Sequence, residues 1–182
     1  MVLSTIANWA LRAAQGLFGI VILGLSVTLI RGHHWGDLPS SLGYSAFVGG
    51  IAILAAGLGL AGSFVSFLQG IVGIAIDGVV AIISIVGGIV LAIKTKGIEC
   101  KVSENDLGNN FDLVYNELFN GGCYDTKKGL CWIYSQSWST KKMEDVILGH
   151  CRESKADMVF MFMTGGLFLA TALLLFLKQR KG

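Results

Sequence analysis

Four long runs of apolar residues, separated by polar segments, set the organisation of the chain. The middle stretch, Tyr44–Ile93, is about twice as long as a membrane-crossing helix and therefore has to fold back once. Polar residues and a glycine at positions 66–70 predict that turn. Because a spanning helix needs about 20 apolar residues, we expect four spans, over residues 6–30, 44–67, 71–94 and 157–178.

The apolar runs predict helices rather than strands. Lipid offers the backbone no hydrogen-bond partners, so each span has to pair its own N–H and C=O groups. The runs are also too long and too uniformly apolar for the alternating strands of a membrane barrel. The first run ends in Leu29-Ile30-Arg31 rather than in the small residues of a signal-peptide cleavage site, so we expect it to be retained. The predicted fold is an all-α membrane protein, a four-transmembrane-helix bundle.

The polar segments comprise a short loop, a long loop and a tail, over residues 31–43, 96–156 and 178–182. Within the long loop, apolar residues at helical spacing predict one helix over 111–119 and another over 140–149. Ser154 and Asp157 have the spacing of a helix capping box, which predicts that the fourth span begins there. Capping is enough to account for Asp157, and we assign it no chemistry.

The composition supports immersion in a membrane. Hydrophobic residues make up 53% of the chain and charged residues 14%, with a mean hydropathy of +0.67, whereas soluble domains carry about 25% charged residues. A net charge of +2 is too small for a nucleic-acid-binding surface. The expected partners are membrane lipids, with further copies of the chain or other membrane proteins as candidates, and no nucleic acid.

All four cysteines lie in the long loop: Cys100, Cys123, Cys131 and Cys151. An even set confined to one loop predicts two disulfides and an oxidising, extracytoplasmic location. Three pairings are possible. We favour Cys100–Cys151, which flanks the last two spans, together with Cys123–Cys131, which closes a short loop. With an even number of spans, both termini then face the cytosol; the distribution of basic residues is too balanced to decide the orientation.

Asp77 is the one charge that we expect inside a span. It should lie about 9 Å inside the cytosolic end of the third span, which begins at residue 71. Arg12 is expected only at the start of the first span. A charge at the bilayer centre costs about 3 kcal/mol on insertion scales, so Asp77 should face other helices or be protonated. It could serve a proton or ion relay or a lipid site, or it could form a structural hydrogen bond to Ser26 or Thr164. We favour the structural role, because the bundle offers few other polar groups for a pathway.

The sequence contains no recognisable motif for catalysis or a cofactor. His33, His34 and Asp37 lie together in the short loop, but adjacent histidine side chains point apart on most backbones, and we interpret these three as solvated. Glycine-rich phosphate loops, zinc-ligand spacings and nucleophile elbows are missing. We predict no metal site, no cofactor and no enzyme activity.

Small residues recur four positions apart in two spans, as Ala52/Ala56, Gly57/Ala61 and Gly166/Ala170. Such pairs let helices approach closely. They fit either packing within one chain or a face for self-association, and the sequence leaves both interpretations open.

Segments in all four spans are similar to those of a known family. They are Leu11–Gln15 with Val21–Ser26, Tyr44–Gly49, Ile76–Gly78 with Gly87–Ala92, and Cys151–Phe160. As an ordered set they resemble fungal MARVEL-domain proteins, which include the non-classical export proteins of the eisosome-associated membrane compartment. The resemblance covers the spans, Cys100 and Cys151, but not the middle of the long loop, where the Cys123–Cys131 pair is an addition.

The resemblance implies a single MARVEL-like domain over residues 1–182, with a disulfide-stapled extracytoplasmic loop over 96–156. It implies a non-catalytic, multi-pass membrane protein, located in the plasma membrane with cytosolic termini. The expected function is organisation of membrane microdomains, or membrane apposition and trafficking. The alternative is a small transporter or channel subunit that uses Asp77.

Overall fold

The computed structural model describes residues 2–62, 70–101, 111–125 and 130–181. It is mostly helical, with one short hairpin. In chain order, its elements are α1 (Val2–Arg31), α2 (Ser40–Ala61), α3 (Ile71–Lys94), α4 (Phe111–Val114), β1 (Cys123–Asp125), β2 (Leu130–Cys131), α5 (Trp132–Ser135) and α6 (Thr140–Lys181).

Four of these helices, α1, α2, α3 and α6, are long and apolar enough to cross a membrane. The predicted all-α bundle of four spans is confirmed. Large apolar side chains point away from the bundle, as expected where lipid is the solvent. Leu17, Leu54 and Ile82, for example, are 62%, 68% and 62% exposed.

The second span begins earlier than the hydropathy pattern predicts. α2 starts at Ser40, directly after Pro39, rather than at Tyr44. Proline is favoured at helix starts because its ring presets the backbone and the N–H that it lacks would be unpaired there anyway. Two serines therefore join the helix although they add nothing to its hydropathy. The predicted turn at 66–69 and the predicted end of this span at residue 67 lie outside the described residues.

The fourth span is part of a much longer helix. α6 has 42 residues, a length of about 63 Å, whereas the hydrocarbon core of a bilayer is about 30 Å thick. The loop helix predicted at 140–149 and the span predicted at 157–178 form one continuous element, because no proline or cluster of turn residues interrupts them. Ser154 and Asp157 lie in its interior, so the predicted capping box is wrong.

The other predicted loop helix is shorter than expected, because it ends at Val114 instead of residue 119. The side chain of Asn116 accounts for the change of direction. Its Oδ1 accepts a hydrogen bond from the backbone N–H of Leu118 at 2.9 Å, and its Nδ2 donates to the carbonyl oxygen of Lys94 at 2.9 Å. Such local side-chain bonds compete with helical ones, and here they also tie the segment to the end of α3.

The four long helices pack so that α1 and α3 each contact both α2 and α6. α1 therefore lies diagonally across the bundle from α3, and α2 diagonally across from α6. Glycine permits the closest approach, because a Cβ atom on Gly49 of α2 would lie 2.6 Å from the backbone nitrogen of Leu23 in α1. Tyr44 of α2 donates a 2.9 Å hydrogen bond to the carbonyl oxygen of Ile83 in α3.

A disulfide-linked cap covers one end of the bundle. One disulfide joins the chain just after α3 to α6, and the other closes the hairpin of β1 and β2. The bonded pairs are Cys100–Cys151 and Cys123–Cys131, which are the pairs favoured from the sequence. The first bond fixes how α6 sits relative to α3 where both helices leave the membrane.

The short loop packs against this cap instead of extending into solvent. The backbone N–H groups of His34 and Trp35 both donate to the carbonyl oxygen of Gly121, at 2.8 and 3.1 Å. The ring of His34 stacks on Trp132 with 4.1 Å between centroids. Phe119, at the centre of the cap, is fully buried. The two predicted loops therefore form one folded layer above the bundle.

Candidate functional site

A bidentate ion pair crosses the bundle near the end that carries the termini. The two guanidinium nitrogens of Arg12 in α1 donate to the two carboxylate oxygens of Asp77 in α3, at 2.6 and 2.7 Å. Both side chains are nearly excluded from the surface. Paired geometry of this kind is the strongest contact between arginine and a carboxylate, so each charge is neutralised where hydrocarbon would otherwise penalise it.

Gln15 extends this ion pair to a third helix. Its Oε1 accepts a 3.1 Å hydrogen bond from Arg12, and its Nε2 donates to Thr171 Oγ1 of α6 at 3.0 Å. A fourth helix makes room for the guanidinium, since a Cβ atom on Gly59 of α2 would lie 2.4 Å from its Cζ. We call Arg12, Gln15, Asp77 and Thr171 the charged cluster.

The charged cluster corrects two predictions about Asp77. Its partner is Arg12, whereas the hydrogen bond predicted to Ser26 or Thr164 is not formed: Ser26 lies about 21 Å farther along α1, and Thr164 Oγ1 has no hydrogen-bond partner among the described residues. Arg12 is 3% exposed and is thus a second charge inside the bundle. A hydroxyl group does not neutralise a carboxylate in hydrocarbon, whereas a guanidinium does.

A signal for the pair was present in the sequence. Arg12 precedes the end of α1 by about 28 Å, and Asp77 precedes the end of α3 by about 26 Å. Since α1 and α3 run in the same direction, opposite charges at matching depths can meet across the diagonal. Treating Arg12 as the boundary of an apolar run concealed this match.

A second polar cluster lies nearer the cap. Ser26 of α1 contacts Asp157 of α6, with 3.1 Å between Ser26 Oγ and Asp157 Oδ2. Ser45 of α2 approaches the same carboxyl group across the other diagonal. Ser41 lies one helical turn above Ser45, and Ser154 lies about one turn above Asp157, and all five residues are buried. We call Ser26, Ser41, Ser45, Ser154 and Asp157 the hydroxyl cluster.

The hydroxyl cluster corrects the interpretation of Asp157. A capping carboxylate would sit at a helix end in contact with water, whereas Asp157 is completely buried. It lies about 10 Å along α6 from His150, whose ring lies against Gly32 at the end of α1. Asp157 is therefore an acid buried inside the bundle, and the sequence analysis missed it because the start of the fourth span was placed at that residue.

An apolar layer separates the two clusters. Its members come from α2, α3 and α6 and are at most 3% exposed: Ala52, Ala55, Val80, Ala81 and Phe168. Along α6, Phe168 lies between Asp157 and Thr171, which are about 21 Å apart. The ring of Phe168 is fully buried and packs against the other members of this layer. The layer thus separates the charged cluster from the polar groups on its cap side, which are the hydroxyl cluster and the buried hydroxyls of Ser84 and Thr164.

A comparison with family models relates this bundle to known proteins. The model of the MARVEL domain, described as a membrane-associating domain, matches residues 5–174. This chain belongs to the MARVEL family. No curated protein and no solved structure matches it significantly. The match covers all four spans, both polar clusters and the cap, and it identifies a multi-pass membrane protein of a family that is generally not enzymatic.

The histidines of this MARVEL protein belong to the contact between the short loop and the cap. His34 stacks on Trp132, His33 carries a buried Nε2, and His150 Nδ1 lies 3.0 Å from the carbonyl oxygen of Phe119. Over the described ranges, no three histidine, cysteine or acidic side chains converge to hold a metal ion. Of the three residues interpreted as solvated, His34 and Asp37 are exposed, although the ring of His34 also stacks on Trp132, whereas His33 is partly buried against the cap.

Proposed function

We propose that this MARVEL protein is a non-catalytic organiser of membrane domains, acting through the outer, lipid-facing surface of its helices. The ion pair between Arg12 and Asp77 carries the proposal. It gives Asp77 a structural partner, because two hydrogen bonds from Arg12 hold the carboxylate and join the diagonal helices α1 and α3. A bundle locked in this way presents a fixed outer surface, on which lipids or neighbouring spans can pack.

Two of the three small-residue pairs support contacts between proteins. Gly57 and Gly166 have no atom of a described residue within 4 Å of the position that a Cβ would occupy, and both lie on outward faces. Ala52 and Ala56, in contrast, are 0% and 2% exposed and pack inside the bundle. Because small residues let helices approach closely in lipid, we propose Gly57/Ala61 and Gly166/Ala170 as faces for self-association or for partner spans.

The proposed location follows from the cysteines and the resemblance together. Two disulfides in the cap favour an extracytoplasmic cap, and hence cytosolic termini. The resemblance to fungal proteins of the eisosome-associated compartment favours patches in the plasma membrane, with membrane apposition or trafficking as the related process. The lipids that accompany these patches are recognised by packing rather than by charge, because the exposed side chains of the spans are mostly apolar.

The direct experiment combines imaging with cross-linking in native membranes. A fluorescently tagged chain should form patches that disperse when membrane lipids are perturbed, and cross-linking should trap dimers or larger species. The double variant Gly57→Leu/Gly166→Leu should reduce both. Gly78→Leu is the matched control, because Gly78 also faces open space but has isoleucine four residues away on either side. A uniform distribution of a strictly monomeric protein would refute the proposal.

Transport through Asp77 has its own distinguishing result. A transporter reconstituted in liposomes would show an ion flux that Asp77→Asn removes. An organiser shows no flux in either form, although Asp77→Asn should lower its stability because Arg12 then lacks its carboxylate. Measuring flux and stability on the same preparation separates the two functions.

A further inference from the structure

The hydroxyl of Ser26 has more acceptors than it can serve. Its Oγ lies 2.8 Å from the carbonyl oxygen of Ile22 and 3.1 Å from Oδ2 of Asp157. A serine hydroxyl has a single proton and donates only one of these hydrogen bonds at a time. When it donates to the backbone, its lone pairs face an oxygen of the carboxyl group. Two oxygen lone pairs that face each other at that distance repel unless a proton or a cation lies between or beside them.

Further oxygens in the hydroxyl cluster also lack a donor or acceptor. Among the described residues, Asp157 Oδ1 and the Oγ atoms of Ser41, Ser45 and Ser154 have no hydrogen-bond partner with acceptable geometry. Each of these side chains is at most 6% exposed. A buried polar group without a partner is destabilising by roughly 1–3 kcal/mol, so several in one place point to a ligand that satisfies them together.

No basic side chain among the described residues forms an ion pair with Asp157. In the described part of the chain, Asp157 takes part in neither of the two ion pairs, which join Arg12 to Asp77 and Lys94 to Glu117. The nearest lysine in sequence, Lys155, donates to the carbonyl oxygen of Ile98. The site thus consists of one carboxyl group and several hydroxyls.

We propose that the hydroxyl cluster binds one small monovalent cation, Na⁺. An oxygen-only set of ligands suits a hard cation. One carboxylate with one monovalent ion is neutral, as hydrocarbon requires, whereas a divalent ion would leave a net charge buried. The short spacing of Ser26 and Asp157 suits a small ion better than K⁺.

The position of the serines supplies a route for the ion. Ser41 lies in the first turn of α2, at the end of the bundle beneath the short loop, and Ser45 lies about 6 Å deeper. The ion reaches Asp157 from the cap side along these two hydroxyls. The layer around Phe168 blocks passage toward the charged cluster, so the ion is bound and not conducted.

Thermal unfolding of the purified full-length protein in detergent tests this site. The comparison uses NaCl, KCl and choline chloride at equal ionic strength. In the native protein, saturating Na⁺ should raise the unfolding midpoint by about 5–10 °C over choline, and K⁺ should raise it less. Asp157→Asn should abolish the response. Ser45→Ala, which is milder and keeps a small buried side chain, should shift the required Na⁺ concentration upward by about tenfold.

Ser84→Ala is the matched control, because Ser84 is also a fully buried serine with no partner among the described residues, but it belongs to α3, outside the cluster. It should keep the full Na⁺ response. Equal midpoints in all three salts would overturn the proposal and would mean that Asp157 is protonated. A response to Na⁺ that survives in both Asp157→Asn and Ser45→Ala would also overturn it.

Discussion

The charged cluster and the hydroxyl cluster lie inside the same four helices, and each crosses one diagonal of the bundle, yet their polar groups are satisfied differently. In the charged cluster, Asp77 receives two hydrogen bonds from a guanidinium, and Gln15 passes the connection on to α6. In the hydroxyl cluster, Asp157 has one hydrogen bond of acceptable geometry, to Ser26, and one of its oxygens has no partner in the described chain.

The difference teaches what each cluster can do. An ion pair closed by two hydrogen bonds in hydrocarbon is rigid, because opening it exposes two charges at once. A carboxyl group surrounded by unpaired hydroxyls is incomplete and can accept something from outside the protein. The same bundle therefore has a structural lock at one end and, by our proposal, a binding site at the other.

Removing either partner of the buried ion pair should have the largest effect on the free energy of unfolding. Arg12→Met leaves Asp77 buried without its counter-charge, and Asp77→Leu does the same to Arg12. Either variant should lose about 3–5 kcal/mol of unfolding free energy, measured by denaturant titration in mixed micelles. A loss below about 1 kcal/mol for both variants would mean that water reaches the pair.

Removing the Cys100–Cys151 disulfide, which holds α6 on the cap side of the hydroxyl cluster, should cause the next largest loss of stability. Replacing Cys100 and Cys151 by serine opens a loop of 51 residues, which in the chain-entropy model lowers stability by about 4 kcal/mol. Removing Cys123 and Cys131, eight residues apart, should lower it by about 2.5 kcal/mol. Equal effects of the two double variants would show that the loop-length difference does not govern the contribution of the cap disulfides.

Replacing Gln15, which links the ion pair to α6, should have a smaller effect on stability. Gln15→Ala removes the hydrogen bonds to Arg12 and Thr171 but leaves the ion pair in place. The expected loss is about 1–2 kcal/mol, measured as for Arg12→Met. A loss as large as that of Arg12→Met would mean that Gln15, rather than the ion pair, joins the helices.

Removing the hydroxyl of Ser84, which belongs to neither cluster, should have the smallest effect on stability. Ser84 Oγ is buried and has no partner in the described chain. Ser84→Ala removes a polar atom that contributes no hydrogen bond, so the stability should stay within about 0.5 kcal/mol of the native value or rise. A clear loss of stability would mean that Ser84 has a partner, which would extend one of the clusters toward the middle of the bundle.

The four spans were predictable from the sequence because hydrocarbon allows so few arrangements of the backbone. The polar interior was less predictable, because hydropathy averages over a window and hides which face a residue occupies. Arg12 was taken for a boundary and Asp157 for a cap, although both are buried. The diagonal contacts depend on how the helices are arranged around the bundle, and no local pattern in the sequence encodes that arrangement.

The double variant Arg12→Met/Asp77→Leu tests the central claim most directly, that the buried pair locks the bundle while the outer surface carries the function. Replacing both charges removes the need for pairing, so the double variant should regain stability to within about 1 kcal/mol of the native protein. In cells it should still form patches and cross-linked species. A double variant no more stable than either single variant, or a stable one that spreads uniformly through the membrane, would contradict the account.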